Sequence, residues 1–127
     1  EKGDQKIIHV PIDPIQYEFK EEKIEDNLLD YLAKNYMNPN LTLSDLTKEF
    51  GINSREISSM IKEITKMSFP KYINFLRIEE AKRILQTNEY QNISEIGYIV
   101  GFNSPSNFNR VFKEKEGISP KEFMNNS

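Results

Sequence analysis

The chain carries one pattern of hydrophobic and polar positions twice. The first copy reads LSDL at residues 43–46 and GINS at 51–54, and the second reads ISEI at 93–96 and GFNS at 101–104. In each copy a glycine follows a short amphipathic run, and a polar residue precedes a second such run. A glycine that ends one helix and a polar side chain that begins the next are typical of two helices joined by a tight turn. The repeat therefore predicts two helix-turn-helix units.

Apolar positions three and four residues apart predict seven helices and no convincing strand. The first helix is expected to begin at Ile24 and to end near Asn38, before Pro39. Five polar residues stand three positions before an acid, or directly before a proline, which marks the start of a helix. These predicted N-caps are Thr42, Asn53, Asn92, Ser104 and Ser119.

The predicted fold is an all-α, seven-helix domain with two helix-turn-helix subdomains joined by a linking helix. Pro11 and Pro14 interrupt the apolar residues near the start, so we expect an extended linker or junction segment at residues 1–22. The folded domain is expected at residues 23–127. Its parts are a first helix-turn-helix unit at about 42–66, the linking helix at about 69–86 and a second unit at about 92–116.

The two copies also agree in register. Gly51 and Gly101 stand 50 residues apart, whereas the apolar positions of the helix that follows match at a spacing of 51, as Ile57 does with Phe108. The second turn is therefore expected to be one residue longer than the first. A generic helical bundle whose glycines are C-caps stays open from periodicity alone, but the paired register favours a repeat.

The composition argues against most catalytic and metal chemistry. The 127 residues include no cysteine and a single histidine, His9, so neither a disulfide framework nor a thiolate metal site can form. A zinc site would need carboxylates almost alone, and a histidine-based triad would depend on the N-terminal segment. No nucleophile and base set, phosphate loop or metal cluster stands out. We therefore expect no enzyme, no metal site and no cofactor.

No apolar run approaches the ~20 residues that span a bilayer, and no signal-peptide pattern opens the chain. We expect a cytoplasmic location and no membrane contact by this segment. The first residue is Glu1 and not methionine, which we interpret as a piece of a longer chain.

The net charge is −3 and the sequence pI is about 5.3, which ordinarily counts against binding to nucleic acid. The acidity is uneven, however. Residues 1–41 contain nine acids and five bases, a net of −4, whereas residues 42–127 contain eleven acids and twelve bases, a net of +1. The repeat itself therefore carries no acidic excess.

The run IGYIVGFNSPSNFNRVFKEKEGISPKEF, at residues 96–123, resembles the C-terminal signature of the AraC/XylS-type transcription regulators. INFLRIEEAKRIL, at residues 73–85, resembles the linking helix of that family, and the resemblance covers about residues 24–125. Three positions depart from the family pattern. Thr47 and Gly97 stand where a small alanine is usual, and Lys66 stands where the second copy has Gly117.

The resemblance implies a DNA-binding domain that inserts the second helix of each unit into the major groove. Arginine suits guanine, asparagine suits adenine, and serine adapts to several base edges. The outward face of the second of these helices is polar and nearly free of acid. The reading positions of the family, matched to the outward faces of the two helices, give seven expected base contacts. The alternative for each is a solvated surface residue. The expected base contacts are Arg55, Ser58, Ser59, Ser106, Asn107, Asn109 and Arg110.

Phosphate contacts are expected from helix N-termini and from nearby hydroxyls and amines. The basic residues of the linking helix, Arg77, Lys82 and Arg83, stand beside acids and are interpreted as structural. The expected phosphate contacts are Thr42, Ser54, Lys62, Lys71, Ser104, Lys113 and Lys121.

The expected partner is double-stranded DNA. A linking helix over residues 69–86 would be about 27 Å long at ~1.5 Å per residue, close to the ~34 Å between successive major grooves, so one chain could contact both. An upstream sensing or receiver module, and RNA polymerase if the regulator is an activator, are further partners that the resemblance implies. The alternative function is a helical protein-interaction module with no DNA binding of its own, which the acidic pI favours.

Overall fold

The computed structural model describes residues 14–87 and 92–126. Within these ranges the chain forms seven helices and no strand, which confirms the all-α prediction. The chain divides into two units, Glu1–Tyr31 and Leu32–Ser127. The helices are α1 (Pro14–Asn35), α2 (Leu43–Phe50), α3 (Ser54–Thr65), α4 (Phe69–Thr87), α5 (Ile93–Val100), α6 (Pro105–Glu116) and α7 (Pro120–Asn126).

The prediction of an extended segment at residues 1–22 is wrong for its last part, because α1 begins at Pro14 and not at Ile24. A proline disrupts the interior of a helix, since it lacks an N–H group and crowds the preceding turn. At the first helical position the N–H group has no partner in any case, so Pro14 can begin the helix there. Residues 1–13 lie outside the described residues, and a domain boundary at residue 23 stays a prediction.

Side-chain caps begin the helices where the sequence predicts them. At α2, the Thr42 hydroxyl oxygen accepts a hydrogen bond from the Asp45 N–H at 3.3 Å, and the Asp45 carboxylate accepts one from the Thr42 N–H at 2.9 Å. Such bonds supply partners for N–H groups that the first turn leaves unpaired. The same role is confirmed for the other predicted caps, which are Asn53, Asn92, Ser104 and Ser119.

Two helix pairs, α2 with α3 and α5 with α6, repeat one arrangement. A left-handed glycine opens the turn in each pair, with φ of 66° at Gly51 and 118° at Gly101. Residues 51–53 form the first turn and residues 101–104 the second, which confirms that the second is one residue longer. Both α3 and α6 pack against α4. The second helix of each unit therefore packs against the linking helix.

Lys66 adopts the backbone conformation that glycine adopts at the matching position of the second copy. The φ angle is 64° at Lys66 and 84° at Gly117, and Lys66 alone among the described non-glycine residues has a positive φ. A left-handed conformation costs an L-residue about 1–2 kcal/mol. The Lys66 N–H still donates to the Lys62 carbonyl at 2.8 Å and so completes the last turn of α3. This departure from the repeat is accommodated by the backbone at some cost in stability.

The main hydrophobic cluster lies between α4 and the second helix-turn-helix unit. The Phe108 ring centroid lies 5.4 Å from that of Phe102 and 5.8 Å from that of Phe112, and Phe123 of α7 lies 5.6 Å from Phe112. Aromatic pairs at such distances stabilise a core beyond the area they bury. The buried residues around the first unit are aliphatic: Leu46, Ile57, Ile61 and Ile73. An aromatic cluster thus fixes α6, and aliphatic contacts fix α3.

Gly97 of α5 leaves room for the ring of Phe108. A Cβ atom built on Gly97 would lie 2.8 Å from Cγ and Cδ2 of Phe108 and 2.9 Å from its Cβ. Carbon atoms in favourable contact stay about 3.5–4.0 Å apart, so an alanine would require Phe108 or α5 to shift. The glycine that replaces the family's alanine therefore has a packing reason.

We expect Gly97→Ala to destabilise the protein by about 1 kcal/mol. Alanine gains about 1 kcal/mol over glycine within a helix, but overpacking a filled core costs about 1–3 kcal/mol, and the second effect is larger. Urea unfolding followed by circular dichroism measures the difference. Thr47→Ala is the control at the matching position of the first copy, where the half-buried side chain can be shortened within about 0.5 kcal/mol. A Gly97→Ala protein more stable than wild type would contradict this reasoning.

Candidate nucleic-acid interface

The outward face of α3 carries the side chains that the sequence predicts for base contacts in the first unit. Ile57 and Ile61 are buried beneath it, and Arg55 is exposed in the first turn of the helix. A shallow groove on the same face is lined by Ser58, Ser59, Lys62 and Glu63. Arginine, two hydroxyls and an amine on one accessible face are suited to contacts with base edges and phosphates.

The outward face of α6 is polar in the same way. Phe108, Val111 and Phe112 are buried, so the residues between them face solvent. The exposed or half-buried side chains at the predicted reading positions are Ser106, Asn107, Asn109 and Arg110, and Lys113 follows on the same helix. The structure therefore brings the predicted base contacts of the second unit together on one helix surface.

Several of these side chains bond to one another. Arg110 Nη2 donates to the Asn107 side-chain oxygen at 2.6 Å, and Arg110 Nη1 lies 3.2 Å from the Glu114 carboxylate. Asn109 Nδ2 donates to the Pro105 carbonyl at 2.9 Å. The reading face of α6 is thus held in a particular arrangement before any ligand is bound.

Glu114 is the residue on this face that the sequence analysis missed. Its side chain is 64% exposed and forms an ion pair with Arg110. The expectation of a face nearly free of acid is wrong at this position. The spacing of four residues between Arg110 and Glu114 is the signal that could have found it, because such residues are neighbours on a helix surface.

Five of the predicted phosphate contacts lie at or next to helix starts, whereas Lys62 and Lys113 lie in the last turns of α3 and α6. Two of the hydroxyls already have partners. Thr42 Oγ1 donates to the Asp45 carboxylate at 3.2 Å, and Ser104 Oγ accepts from the Asn107 N–H at 3.1 Å. Ser54 is the first residue of α3, and the side chain that caps this helix is that of Asn53. The remaining candidates are exposed lysines: Lys62, Lys71, Lys113 and Lys121.

Arg77 of α4 is buried, with 9% of its surface exposed. Its Nε donates to the Tyr36 carbonyl at 2.6 Å, its Nη2 donates to the Asn38 carbonyl at 3.0 Å, and its Cζ lies 5.7 Å from the ring centroid of Phe102. Burial lowers the pKa of Arg77, but the guanidinium stays protonated because arginine pKa values begin far above neutrality. Arg77 therefore joins the segment before α2 to the turn of the second unit.

Lys82 and Lys115 alternate with two acids in a network that connects α4 to the C-terminal end of α6. Lys115 Nζ lies 2.7 Å from the Glu79 carboxylate and 2.9 Å from that of Glu116, and Lys82 Nζ lies 3.2 and 3.3 Å from the same two groups. The hydrogen bond from Lys115 holds the pKa of Glu79 below its ordinary value. These contacts support the interpretation of Lys82 as structural.

The described residues offer a polar helix surface and no metal-binding group. No cluster of three or more His, Cys, Asp and Glu in residues 14–87 and 92–126 is arranged to hold a metal ion. Across the same part of the chain, no helix is both long and apolar enough to cross a membrane.

A family model described as a helix-turn-helix domain matches residues 46–126. The match covers more than half of the chain, so the chain belongs to this family. It is the AraC/XylS type of helix-turn-helix domain, as the sequence predicts. The chain therefore contains a DNA-binding helix-turn-helix domain of the kind found in transcription regulators.

Three similar proteins illustrate the family. Histidine kinase P4 of Formosa agariphila is 26% identical over 117 residues, which is 92% of this chain and 8% of the kinase. The HTH-type transcriptional regulator YisR of Bacillus subtilis is 27% identical over 121 residues, 94% of this chain and 41% of that protein. The C-terminal domain of AraT, a response regulator from Geobacillus stearothermophilus, superposes with a TM-score of 0.77 at 27% identity, covering 82% of this chain and 85% of that domain. The chain spans less than half of either full-length relative.

Proposed function

We propose that this domain binds two successive major grooves of one DNA duplex, with α3 in one groove and α6 in the other. The observation that carries the proposal is that two helices of 12 residues, each the second of a helix-turn-helix pair, pack on one linking helix. That helix, α4, contains 19 residues. At ~1.5 Å per residue it is about 28 Å long, close to the ~34 Å between successive grooves. A single chain then contacts both grooves without a second copy.

The two units contribute different base contacts in this proposal. Arg55, Ser58 and Ser59 read one groove, and Ser106, Asn107, Asn109 and Arg110 read the other. Exposed lysines and the N-termini of the helices contact phosphates and set the position of the domain on the duplex. The proposed phosphate contacts are Thr42, Ser54, Lys62, Lys71, Ser104, Lys113 and Lys121.

The proposal extends to the longer protein that such a domain serves. Residues 23–127 form the DNA-binding domain, and an upstream sensing or receiver module supplies the signal in the cytoplasm. An activator of this kind also contacts RNA polymerase. The support for an additional module is that histidine kinase P4 and YisR are both much longer than their matching segments.

Selection from random duplex DNA is expected to enrich one asymmetric site about two groove widths long. Binding to that site should weaken steeply from low to physiological salt, because each phosphate contact releases condensed counterions.

Arg110→Ala should cost about 1–3 kcal/mol of discrimination at one base pair, more than Ser59→Ala does. Lys113→Ala should lower the salt slope by about one while base preference stays the same. Fluorescence anisotropy at several salt concentrations measures the salt slope and the base preference of each variant.

Lys48→Ala is the matched control, because Lys48 is an exposed lysine of α2 outside the proposed contacts. It should leave both the salt slope and the base preference unchanged. Footprinting should show protection of two adjacent grooves for each bound chain. Protection of one groove alone would overturn the two-groove geometry. Failure to enrich any sequence would favour the helical protein-interaction module.

A further inference from the structure

Three side chains form a connected chain along the exposed face of α6. Asn107 accepts a hydrogen bond from Arg110 at 2.6 Å, and Arg110 pairs with Glu114 at 3.2 Å. Spacings of three and four residues place these side chains on one face of the helix. The side chains of Arg110 and Glu114 are 60% and 64% exposed, so the group can meet a ligand without rearrangement of the core.

The orientation of the Asn107 amide follows from its partner. A guanidinium can only donate hydrogen bonds, so the Asn107 atom that meets Arg110 is the oxygen, and the NH2 group is left to donate elsewhere. For Asn109 the opposite holds, because the Pro105 carbonyl can only accept. The Asn109 oxygen is therefore left to accept. Neighbouring positions on α6 thus present different hydrogen-bonding patterns.

Arg110 keeps enough donors to read a base while it is held in place. Arginine has five N–H donors in a fixed planar fork, and the contacts to Asn107 and Glu114 use two of them. The remaining donors, together with the Asn107 NH2 group, form a donor-rich surface. In the major groove guanine presents two acceptors, O6 and N7, whereas adenine presents one acceptor and one donor. A donor-rich surface therefore matches guanine better than adenine.

We propose that Glu114 is a positioning residue for DNA reading, which holds Arg110 beside Asn107 so that the pair recognises a guanine. This inference rests on the proposed function. A carboxylate on a face that meets phosphates repels DNA of any sequence, so Glu114 also lowers non-specific affinity. Glu116 on the same helix differs, because Lys82 and Lys115 both lie within 3.3 Å of it. Glu114 therefore acts on base preference through Arg110 and on non-specific affinity through its own charge.

The experiment compares wild type, Glu114→Ala and Glu114→Gln on duplexes that vary at one base pair. That base pair is the one at which Arg110→Ala loses the most discrimination, and the selected base there should be guanine. Glu114→Ala should reduce the preference for guanine over adenine about two- to fivefold, the range of an exposed ion pair. Glu114→Gln should retain part of the preference, because an amide oxygen still accepts from Arg110. Both variants should bind unrelated duplex DNA more tightly than wild type.

A double substitution separates positioning from a general effect of charge. In the Arg110→Ala background, Glu114→Ala should cause no further loss of preference, because the residue through which it acts is absent. Glu49→Gln is the control, since Glu49 is an exposed acid of α2 and should leave the preference unchanged. A preference ratio is independent of the folded fraction, and urea unfolding confirms that each variant is folded.

The outcomes distinguish this inference from the proposed function. If wild type enriches no DNA sequence, the proposed function fails. If wild type enriches a site, two results would show that the positioning role is wrong while the proposed function stands. In the first, Glu114→Ala keeps the full preference for guanine. In the second, Glu114→Ala lowers that preference equally in the wild-type and the Arg110→Ala background. Selection of a base other than guanine opposite Arg110 would overturn the assigned base.

Discussion

Arg77→Ala is expected to lower the free energy of unfolding by about 3 kcal/mol, since a hydrogen bond from a charged donor contributes about 1.5–3 kcal/mol. The guanidinium donates to the Tyr36 carbonyl at 2.6 Å and to the Asn38 carbonyl at 3.0 Å. It also lies 5.7 Å from the ring centroid of Phe102, and such a contact adds about 0.5–2 kcal/mol. Alanine removes all of these contacts and leaves two carbonyls without their donor. Urea unfolding measures the loss.

Arg83→Ala is the matched control on the same helix. Arg83 pairs with Glu80 at 2.6 Å, but its side chain is 64% exposed, and an exposed pair of this kind contributes about 1 kcal/mol or less. Arg77→Lys keeps the charge but lacks the fork that reaches two carbonyls, so it should recover only part of the loss. Equal stability of the Arg77→Ala and Arg83→Ala proteins would contradict a structural role for the buried guanidinium.

Gly101→Ala is expected to destabilise the protein by about 3 kcal/mol, from backbone strain of about 1–2 kcal/mol and overpacking of about 1–3 kcal/mol. The φ angle of Gly101 is 118°, and an added Cβ would lie 2.6 Å from Arg77 Nε and 3.0 Å from the Tyr36 carbonyl oxygen. Arg77 cannot move aside freely, because its two hydrogen bonds hold it there. The same unfolding measurement reports the change.

Gly51→Ala isolates the strain in this comparison. Gly51 has a φ of 66° and nothing within 4 Å of its built Cβ, so only about 1 kcal/mol is expected. If Gly101→Ala acts partly through Arg77, the double variant with Arg77→Ala should lose less than the sum of the single losses. Equal effects at the two glycines, with additive behaviour, would show that contact with Arg77 is unimportant.

Much of the fold follows from residues close together in sequence. Thr42 with Asp45 and Ser104 before Pro105 predict helix starts, and the structure has caps there. The extra residue in the second turn also follows from the sequence alone. Capping and turn formation depend on neighbours within about four positions, so a linear pattern is sufficient to predict them.

One local prediction failed because a single residue type has opposite effects at different positions. Pro14 is incompatible with the interior of a helix and well suited to its first position. The sequence pattern does not by itself distinguish these two cases. The outcome depends on where the helix begins, and α1 begins at Pro14.

The sequence was sufficient to predict which side chains form the candidate reading surface, but not which contacts they make with one another. Buried Phe108 and Phe112 follow from helical periodicity and turn Asn109 and Arg110 outward. The bond between Arg110 and Asn107 and the ion pair with Glu114 depend on which rotamers the side chains adopt. Composition and spacing permit these contacts without requiring them.

The sequence by itself determined the two helix-turn-helix units, the order of the helices and the family. Only the tertiary structure decided why Arg77 and Gly97 stand where they do, and only it shows that Gly101, the predicted turn glycine, also leaves room for Arg77. Arg77 meets a carbonyl 41 residues away, Gly97 of α5 faces Phe108 of α6, and Gly101 faces Arg77 of α4. Contacts between residues distant in sequence depend on the packing of whole helices, which the local rules of capping and periodicity do not specify.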